Sequence, residues 1–381
     1  MARLHAAAVV EDAWHRRVDA VLRHRGWRTR IVGHTGYGTE DFARVLARVL
    51  LARRPADKPP GQPREDAAAT TAQLRSAEDE RRGWRAFITA PAMNVPVTIR
   101  LGDTEIHTHS DRSGYIDVKL RDHGLAPGWH EARLTSPDAE DICAAVVVVG
   151  ADQTFGLISD IDDTIISTSL PRPMIAAWNT FVKSENARHV VPGMATMYRE
   201  LLADHPGAPM VYVSTGAWNT APTLTRFVRR HGYPAGPLLL TDWGPTNTGW
   251  FRSGQDHKRA CLHRLANEFP AIRWVLVGDD GQHDPRIYGD FSEQRPDRVE
   301  AIAIRELTPS EQVLSHGIPV SLEEFVPARD RHQRDVPVCR APDGYGLLRL
   351  LRVALGDNEA RGDRAAGGDA PPGSGSTASA R

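Results

Sequence analysis

Two aspartates, Asp160 and Asp162, follow the apolar run at residues 156–159, and Thr164 comes two residues later. A strand that delivers two carboxylates, one residue apart, to its carboxyl end suits phosphoryl transfer. The first carboxylate can attack phosphorus and become phosphorylated, and the second can pass a proton to the leaving oxygen. We therefore predict Asp160 as the nucleophile and Asp162 as the acid and base, with Thr164 bonding across the turn to hold both.

A second acidic motif follows another apolar run, residues 274–277. Carboxylates beside a phosphate repel one another, and Mg²⁺ resolves this repulsion because it prefers oxygen ligands and bridges carboxylates to phosphates. The sequence therefore predicts a magnesium site between the two motifs. Its predicted ligands are Asp160, the backbone carbonyl of Asp162, Asp279 and Asp284, with Asp280 as the alternative to Asp284.

A calcium loop is the main alternative for the first motif. An EF-hand loop beginning at Asp160 requires Gly at its sixth position and Glu at its twelfth. Ile165 and Pro171 occupy those positions, so the spacing excludes an EF-hand.

The two acidic motifs resemble motifs I and IV of the haloacid dehalogenase-like (HAD) phosphohydrolase superfamily. Between them, Ser214 ends an apolar run as in motif II, and Lys258 occupies the place of the motif III lysine. This resemblance implies a Mg²⁺-dependent phosphatase with an aspartyl-phosphate intermediate. It also implies that Ser214, or alternatively Thr215, donates a hydrogen bond to a phosphoryl oxygen while Lys258 neutralises charge.

A narrower resemblance joins residues 150–310 to the actin-patch-associated phosphatidate phosphatase catalytic domain family and its bacterial relatives. It rests on Ser-x-x-x-Trp-Asn at Ser214, Trp218 and Asn219, and on the stretches 236–244 and 278–288. The resemblance implies dephosphorylation of phosphatidate to diacylglycerol. The predicted substrate contacts are Ser214, Thr215, Lys258, Trp218 and Asn219. Two alternatives stay open, namely a phosphatase of a soluble or protein-borne phosphate monoester and a non-catalytic binding scaffold.

The composition limits the number of domains, the class of binding partner and the cellular compartment. A chain of 381 residues with 41% hydrophobic residues suggests two or three packed domains. The formal net charge of −1 argues against nucleic-acid binding. Three widely spaced cysteines indicate a reducing compartment without zinc. The N-terminal apolar run is too short for a signal peptide, and no run has the ~18 apolar residues of a membrane span. We expect a cytoplasmic protein that contacts membranes only at their surface, with its oligomeric state open.

The predicted fold class is α/β, an HAD-like doubly wound parallel sheet (Rossmann-like) preceded by a small all-β sandwich. Period-two strands between 84 and 149 indicate the sandwich, and alternating strands and helices between 155 and 327 indicate the parallel sheet. We read Gly33–Thr39 as a hairpin-type turn and 42–51 as a strand. The predicted domains are an amphipathic helix at 1–28, the sandwich-like domain at 29–150 with a Pro-rich loop at 52–66, the catalytic domain at 151–327, an extension at 328–356 and a disordered tail at 357–381.

The spacing between the motifs leaves no room for a cap domain, so we expect a helical flap after Thr164 and an open site. An open site suits a phosphate carried by something large, such as a lipid at an interface. Aromatic residues near the motifs fit a membrane surface, where the amphipathic Trp ring is favoured. The candidates are Trp178, Trp218, Trp243, Trp250 and Phe251, and the alternative is that these rings fill the local core.

Overall fold

The computed structural model describes residues 17, 20–53, 90–168, 188–241, 254–281, 283–309, 311–312 and 336–366. The chain divides into two compact units. The first unit, called the N-terminal unit below, comprises Met1–Gln153, Val211–Thr225 and Ala235–Ala271. The second unit comprises Thr154–Met210, Arg226–Pro234 and Ile272–Arg381.

The N-terminal unit is built on one sheet of eight strands. The strands are β1 (Trp27–Thr39), β2 (Phe42–Arg53), β3 (Ala90–Pro91), β4 (Pro96–Leu101), β5 (Thr104–His109), β6 (Tyr115–Arg121), β7 (Gly128–Ser136) and β8 (Ala139–Val149). They pair in the order β3-β2-β1-β8-β7-β4-β5, and β6 also pairs with β2. Since β1 and β8 run parallel while the other pairs are antiparallel, the sheet is mixed.

The remaining elements follow in chain order. The strands are β9 (Phe155–Ser159), β10 (Ile166–Thr168), β11 (Arg188–Val190), β12 (Met210–Ala217), β13 (Leu238–Thr241), β14 (Arg273–Asp279), β15 (Val299–Arg305) and β16 (Val338–Ala341). The helices are α1 (Met194–Asp204), α2 (Ala221–Arg230), α3 (Gly254–Glu268), α4 (Asp284–Gln294) and α5 (Gly344–Ala366).

Strand β2 is covered on both faces. Ala43, Val45, Ala47 and Val49 belong to the apolar core of the sheet, while Leu46 on the opposite face is also fully buried. A strand buried on both faces loses its period-two pattern. This explains why the run 42–51 could be read as a helix, although the prediction of a strand is confirmed.

The prediction of a turn at Gly33–Thr39 is wrong, because these residues complete the long strand β1. A Cβ on Gly36 would lie 2.2 Å from the carbonyl oxygen of Arg44, and one on Gly38 would lie 2.0 Å from that of Phe42. The glycines therefore serve close approach of β1 to β2 and not a reversal of the chain.

Four strands of the second unit form a parallel sheet in the order β9-β14-β15-β16. All five residues of β9 are buried, and so are six of the seven in β14. In a parallel sheet the carboxyl ends of all strands meet at one edge. That edge receives the residues that follow Ser159, Asp279, Arg305 and Ala341.

The predicted fold class, a doubly wound Rossmann-like sheet preceded by a small sandwich, is wrong. Strands account for 43% of the described residues, and the largest sheet among them is the curled, mixed eight-stranded sheet. This sheet is continuous, whereas a sandwich consists of two packed sheets. The long strand β1, part of which the prediction had as a turn, adds to the strand content.

Several element boundaries also differ from the predictions. Residues 20–24 are helical but β1 begins at Trp27, so the helix predicted for 1–28 ends earlier than expected. Helix α5 continues to Ala366, so the prediction of a disordered tail is wrong for 357–366. Helix α4 was not predicted. The segment predicted as a helical flap, between Thr164 and Gly193, contains the paired strands β10 and β11 at its two ends. Its residues 169–187 and the aromatic candidates Trp178, Trp243, Trp250 and Phe251 lie outside the described residues.

Candidate active site

Asp160 occupies the first position beyond β9. Its backbone N–H donates to the carbonyl oxygen of Val277 at 2.9 Å, so it continues the ladder with β14 by one residue. Its side chain is almost fully buried. Ser159 supports this end of the strand, because its hydroxyl donates to the Asp160 carbonyl oxygen at 2.6 Å and lies 2.7 Å from the Tyr198 hydroxyl. The strand therefore holds Asp160 rigidly at the sheet edge.

The chain then turns sharply back on itself. The amides of Ile165 and Ile166 both donate to the carbonyl oxygen of Ile161, at 3.0 and 3.1 Å. Asp163 has φ of 57°, a left-handed conformation that Asp tolerates better than most residues. Asp162 lies on this turn with its side chain partly exposed. The turn thus follows the buried Asp160 with Asp162, a partly exposed residue whose Oδ1 is nevertheless buried.

Thr164 links the two acidic motifs. It is fully buried, and its hydroxyl lies 3.4 Å from Asp160 Oδ2 and 3.3 Å from Asp279 Oδ2. The contact with Asp160 agrees with the predicted bond across the turn, whereas the second contact is with Asp279 in place of the predicted Asp162.

Asp279 and Asp284 come from the end of β14 and the start of α4. Both carboxylates are buried. The Gly281 amide donates to Asp279 Oδ1 at 2.8 Å. Asp284 lies in the first turn of α4, where the helix dipole favours a negative charge. Gly278 leaves the room for Asp284, since a Cβ at Gly278 would lie 2.5 Å from Asp284 Oδ2.

Asp160, Asp279 and Asp284 form one cluster, called the acid cluster below. One carboxylate oxygen from each lies within 4.8 Å of the others. Three buried carboxylates at this distance repel one another, and a cation removes the repulsion. The donors are hard oxygens, which Mg²⁺ prefers. The residues present therefore fit a magnesium ion.

The environment of the acid cluster also acts on Tyr288 of α4. Burial, and then the charges of Asp284, Asp160 and Asp279, hold the pKa of its phenol well above the ordinary value. The phenol therefore stays protonated and donates to the carbonyl oxygen of Val277 at 3.2 Å.

Asp280 faces a different part of this edge. Its Oδ1 accepts a hydrogen bond from the Leu307 amide at 2.8 Å, and its own amide donates to the Arg305 carbonyl oxygen at 3.0 Å. Burial raises the pKa of its carboxyl, although these neighbours act against that effect. Of the two alternatives for the last metal ligand, Asp284 is the one that belongs to the acid cluster.

Ser214 and Thr215 lie near the end of β12 in the N-terminal unit. The buried Ser214 hydroxyl accepts the Gly216 amide at 2.9 Å. The carbonyl oxygen of Thr215 accepts the Thr241 hydroxyl at 2.8 Å, which fastens β12 to the end of β13. The predicted contact of these residues with a phosphoryl group stays a prediction.

Lys258 lies on the buried side of α3, also in the N-terminal unit, and is only 4% exposed. The other end of this helix is fixed to the curled sheet through Glu268. The Glu268 carboxylate accepts from Tyr37 Oη at 2.9 Å and from Arg44 Nη2 at 2.6 Å, and Lys119 Nζ lies 3.6 Å away. The curled sheet thus holds the helix that carries Lys258.

Trp218 is packed within the same unit. Its ring centroid lies 4.8 Å from that of His34 on β1 and 4.7 Å from that of Tyr115 on β6. Burial, with a smaller contribution from Arg48, lowers the pKa of His34 to about 4, so the imidazole in this stack is neutral near pH 7. Asn219, next in the chain, is exposed. Trp218 has the surroundings of a core residue, and its predicted contact with substrate stays a prediction.

Sequence reasoning missed Arg305 and Glu311, which lie at the same edge as the acid cluster. Arg305 ends β15 and is buried, and its Nη2 lies 2.7 Å from Glu311 Oε1. The available signal was a charged residue directly after the apolar run 301–304, since Asp160 likewise comes directly after the strand β9.

Comparison with known proteins places the acid cluster inside a recognised domain. Residues 155–306 match the family model described as "Phosphatidate phosphatase APP1, catalytic domain". The phosphatidate phosphatase APP1 of Saccharomyces cerevisiae is 29% identical over 151 residues, which are 39% of this chain and 25% of that protein. The predicted resemblance to this family is confirmed over the matched residues.

An uncharacterized protein of Schizosaccharomyces pombe is 24% identical over 152 residues, 40% of this chain and 25% of its own length. The matched part of the chain thus spans about a quarter of the length of both curated relatives. Among solved structures, a carbohydrate acetylesterase from Xanthomonas citri aligns at 9% identity over 74% of this chain and 70% of its own. Its TM-score of 0.24 is too low to indicate a shared fold.

Proposed function

We propose that this protein is a Mg²⁺-dependent phosphatase that hydrolyses phosphatidate, or a related lipid phosphate monoester, to give diacylglycerol and phosphate. The acid cluster is the observation that carries this proposal. Its three carboxylates lie within 155–306, the residues similar to the catalytic domain of phosphatidate phosphatase APP1. Burying several carboxylates together costs folding free energy. A reaction that needs a cation bound between them would explain why the fold keeps this arrangement.

In the first step, a carboxylate oxygen of Asp160 attacks phosphorus. The new O–P bond forms as the bond between phosphorus and the lipid oxygen breaks, and an aspartyl phosphate results. Asp162 donates its proton to the departing alkoxide, which leaves as the diacylglycerol hydroxyl. The burial of Asp160 and the partial exposure of Asp162 suit these two roles, because only Asp162 must exchange protons with solvent.

In the second step, Asp162 acts as the base. It takes a proton from a water molecule whose oxygen attacks the phosphorus of the aspartyl phosphate. The O–P bond to Asp160 breaks, phosphate leaves, and both carboxylates return to their starting states. Asp162 thus serves first as an acid and then as a base, so the enzyme returns to its starting protonation state after each turnover.

Asp160, Asp279 and Asp284, together with the backbone carbonyl of Asp162, would hold the magnesium ion. When bound, the ion supplies positive charge against which the phosphate and the carboxylates can approach one another. Thr164 keeps Asp160 and Asp279 in register through its hydroxyl. Ser214 or Thr215 would bind phosphoryl oxygens, Lys258 would neutralise their charge, and Trp218 and Asn219 would border the substrate.

We further propose that the protein is cytoplasmic and meets its substrate at a membrane surface. None of the helices in the described part of the chain combines the length and the apolar character needed to cross a bilayer. A lipid phosphate would then be taken from the bilayer surface. The proposal includes no nucleic-acid partner, in keeping with the net charge of −1.

The test measures phosphate release with and without Mg²⁺ from phosphatidate–detergent micelles and from soluble phosphate monoesters. Asp284→Asn removes a member of the acid cluster. Asp290→Asn, on the same helix α4 but 44% exposed, is the matched control. We expect Mg²⁺-dependent release from micelles by the wild type and by Asp290→Asn, and little release by Asp284→Asn. Release from soluble esters alone would discard the lipid substrate, and release from neither would favour a binding scaffold.

A further inference from the structure

The described structure contains a buried arginine that contacts the first acidic motif. The Arg305 side chain, at the carboxyl end of β15, is only 6% exposed. Its Nη1 donates to the Asp163 carbonyl oxygen at 2.6 Å, its Nη2 lies 2.7 Å from Glu311 Oε1, and its Nε donates to the Pro342 carbonyl oxygen at 3.3 Å. One guanidinium therefore joins the end of β15 to the turn that follows β9 and to the residue that follows β16.

The bond to Asp163 reaches the turn at its most constrained residue. Asp163 is left-handed, and its carbonyl belongs to the peptide that leads into Thr164. Fixing this peptide fixes where the Thr164 side chain points, and that hydroxyl lies between the carboxylates of Asp160 and Asp279. Arg305 thus acts on the acid cluster through the backbone of the turn, without touching its carboxylates.

Glu311 anchors the arginine and reaches the far side of the same turn. Its Oε1 also accepts the hydroxyl of Ser167, on β10, at 2.8 Å, and its Oε2 accepts the Thr308 amide at 2.9 Å. Although burial opposes it, hydrogen bonding from Arg305, Thr308 and Ser167 lowers the pKa of Glu311 to about 2. The carboxylate is therefore charged at physiological pH, where it pairs with Arg305.

We propose that Arg305 is a positioning residue for phosphoryl transfer, held by Glu311, and that it sets the left-handed turn between Asp160 and Thr164. The link to chemistry rests on the function proposed above. A buried ion pair contributes little net stability compared with well-packed apolar residues. We therefore expect the loss of Arg305 to change the conformation of the turn more than the stability of the whole fold.

The test compares Arg305→Met and Arg305→Lys with Arg273→Met. Arg273 is the matched control because it lies on the same sheet at its opposite edge and also joins a carboxylate to a backbone oxygen. It lies 3.0 Å from Glu300 Oε2 and donates to the Val299 carbonyl oxygen at 3.0 Å. Hydrogen exchange follows the amides of Ile165 and Ile166, which the turn protects. Steady-state kinetics on phosphatidate micelles give kcat and KM.

For Arg305→Met, we expect exchange of these two amides to quicken at least ~10-fold. We also expect kcat to fall ~10–100-fold with little change in KM, as is typical when a supporting contact behind active groups is lost. The exchange rate and kcat of Arg305→Lys should lie between those of the wild type and of Arg305→Met. An ammonium group can keep one of the hydrogen-bond partners but lacks the planar, forked geometry of the guanidinium. Arg273→Met should change neither quantity.

Unchanged exchange at Ile165 and Ile166 in Arg305→Met would overturn the proposal, and so would a kcat equal to that of Arg273→Met. If the wild type hydrolyses no ester, the proposed function fails, and the exchange measurement alone then decides whether Arg305 holds the turn.

Discussion

The parallel sheet of the second unit has two edges built from the same strands but with different chemistry. At the carboxyl edge, Asp160, Asp279, Asp284 and Arg305 are all buried. At the amino edge, Phe155 stacks on His205 at 3.8 Å, and Arg273, with 40% of its side chain exposed, pairs with Glu300. The amino edge follows the usual rule that charges stay near water. The carboxyl edge breaks this rule, as the proposed function requires of residues that serve binding and chemistry at a cost in stability.

The largest expected effect is on Asp160→Asn. We predict a loss of phosphate release of ~10³-fold or more, as for removal of other enzymatic nucleophiles. Removing one charge from the acid cluster should also raise the unfolding free energy without Mg²⁺ by about 1 kcal/mol. Assays of release and of urea unfolding check both. An active Asp160→Asn variant, or one that is markedly less stable than the wild type, would contradict the claim that the carboxyl edge serves chemistry at a cost in stability.

Two glycines, one at each edge, give the next comparison. A Cβ at Gly278 would lie 2.5 Å from Asp284 Oδ2, and a Cβ at Gly156 would lie 2.6 Å from the ring of Trp274. Gly278→Ala should lower kcat ~10²-fold, because it displaces a member of the acid cluster. Gly156→Ala should cost about 1–3 kcal/mol through overpacking, with kcat kept. Thermal unfolding and kinetics of both variants test this, and equal effects on kcat would contradict it.

Magnesium should stabilise the fold through the carboxyl edge alone. At a concentration 100 times its Kd, the ion would add about 2.7 kcal/mol to the free energy of unfolding, so Tm should rise by several degrees. The shift should disappear in Asp284→Asn and persist in Arg273→Met, as differential scanning fluorimetry can show. A shift of the same size in Asp284→Asn would place the binding site elsewhere.

The smallest expected effect concerns Glu311 and pH. Its pKa falls from an ordinary 4.5 to about 2 in the folded state, so its contribution to stability is complete above pH 4.5 and is lost as the pH falls towards 2. The stability difference between wild type and Glu311→Gln should therefore be constant above pH 5 and shrink below it, by about 1 kcal/mol or less given solvent screening. A difference independent of pH down to 2.5 would contradict the ion pair with Arg305.

The acidic residues could be found from the sequence because their signal is local. Asp160 and Asp279 each end an apolar run, and a buried parallel strand is one of the few structures such a run can form. Asp284 follows closely enough to return to the same edge. Their meeting needed only the rule that parallel strands share a carboxyl edge.

The apolar run that Arg305 closes could have placed it at this edge, but its role could not be predicted, because the carbonyl oxygen that it binds, that of Asp163, lies 142 residues away in the chain. Its role depends on the left-handed turn, which no local pattern marks. The fold class failed for a related reason. The glycines of β1 suggest a turn when read alone, and only the neighbouring strand β2 explains them as sites of close approach.

The central claim is that Asp160 carries the phosphoryl group during turnover. The most direct measurement is to quench the enzyme in acid during turnover of phosphatidate with Mg²⁺ and to map phosphorylated peptides by mass spectrometry. We predict one phosphoryl group on the peptide containing Asp160, absent from the Asp160→Asn variant. A phosphoryl group on another residue, or full turnover by Asp160→Asn, would contradict the account.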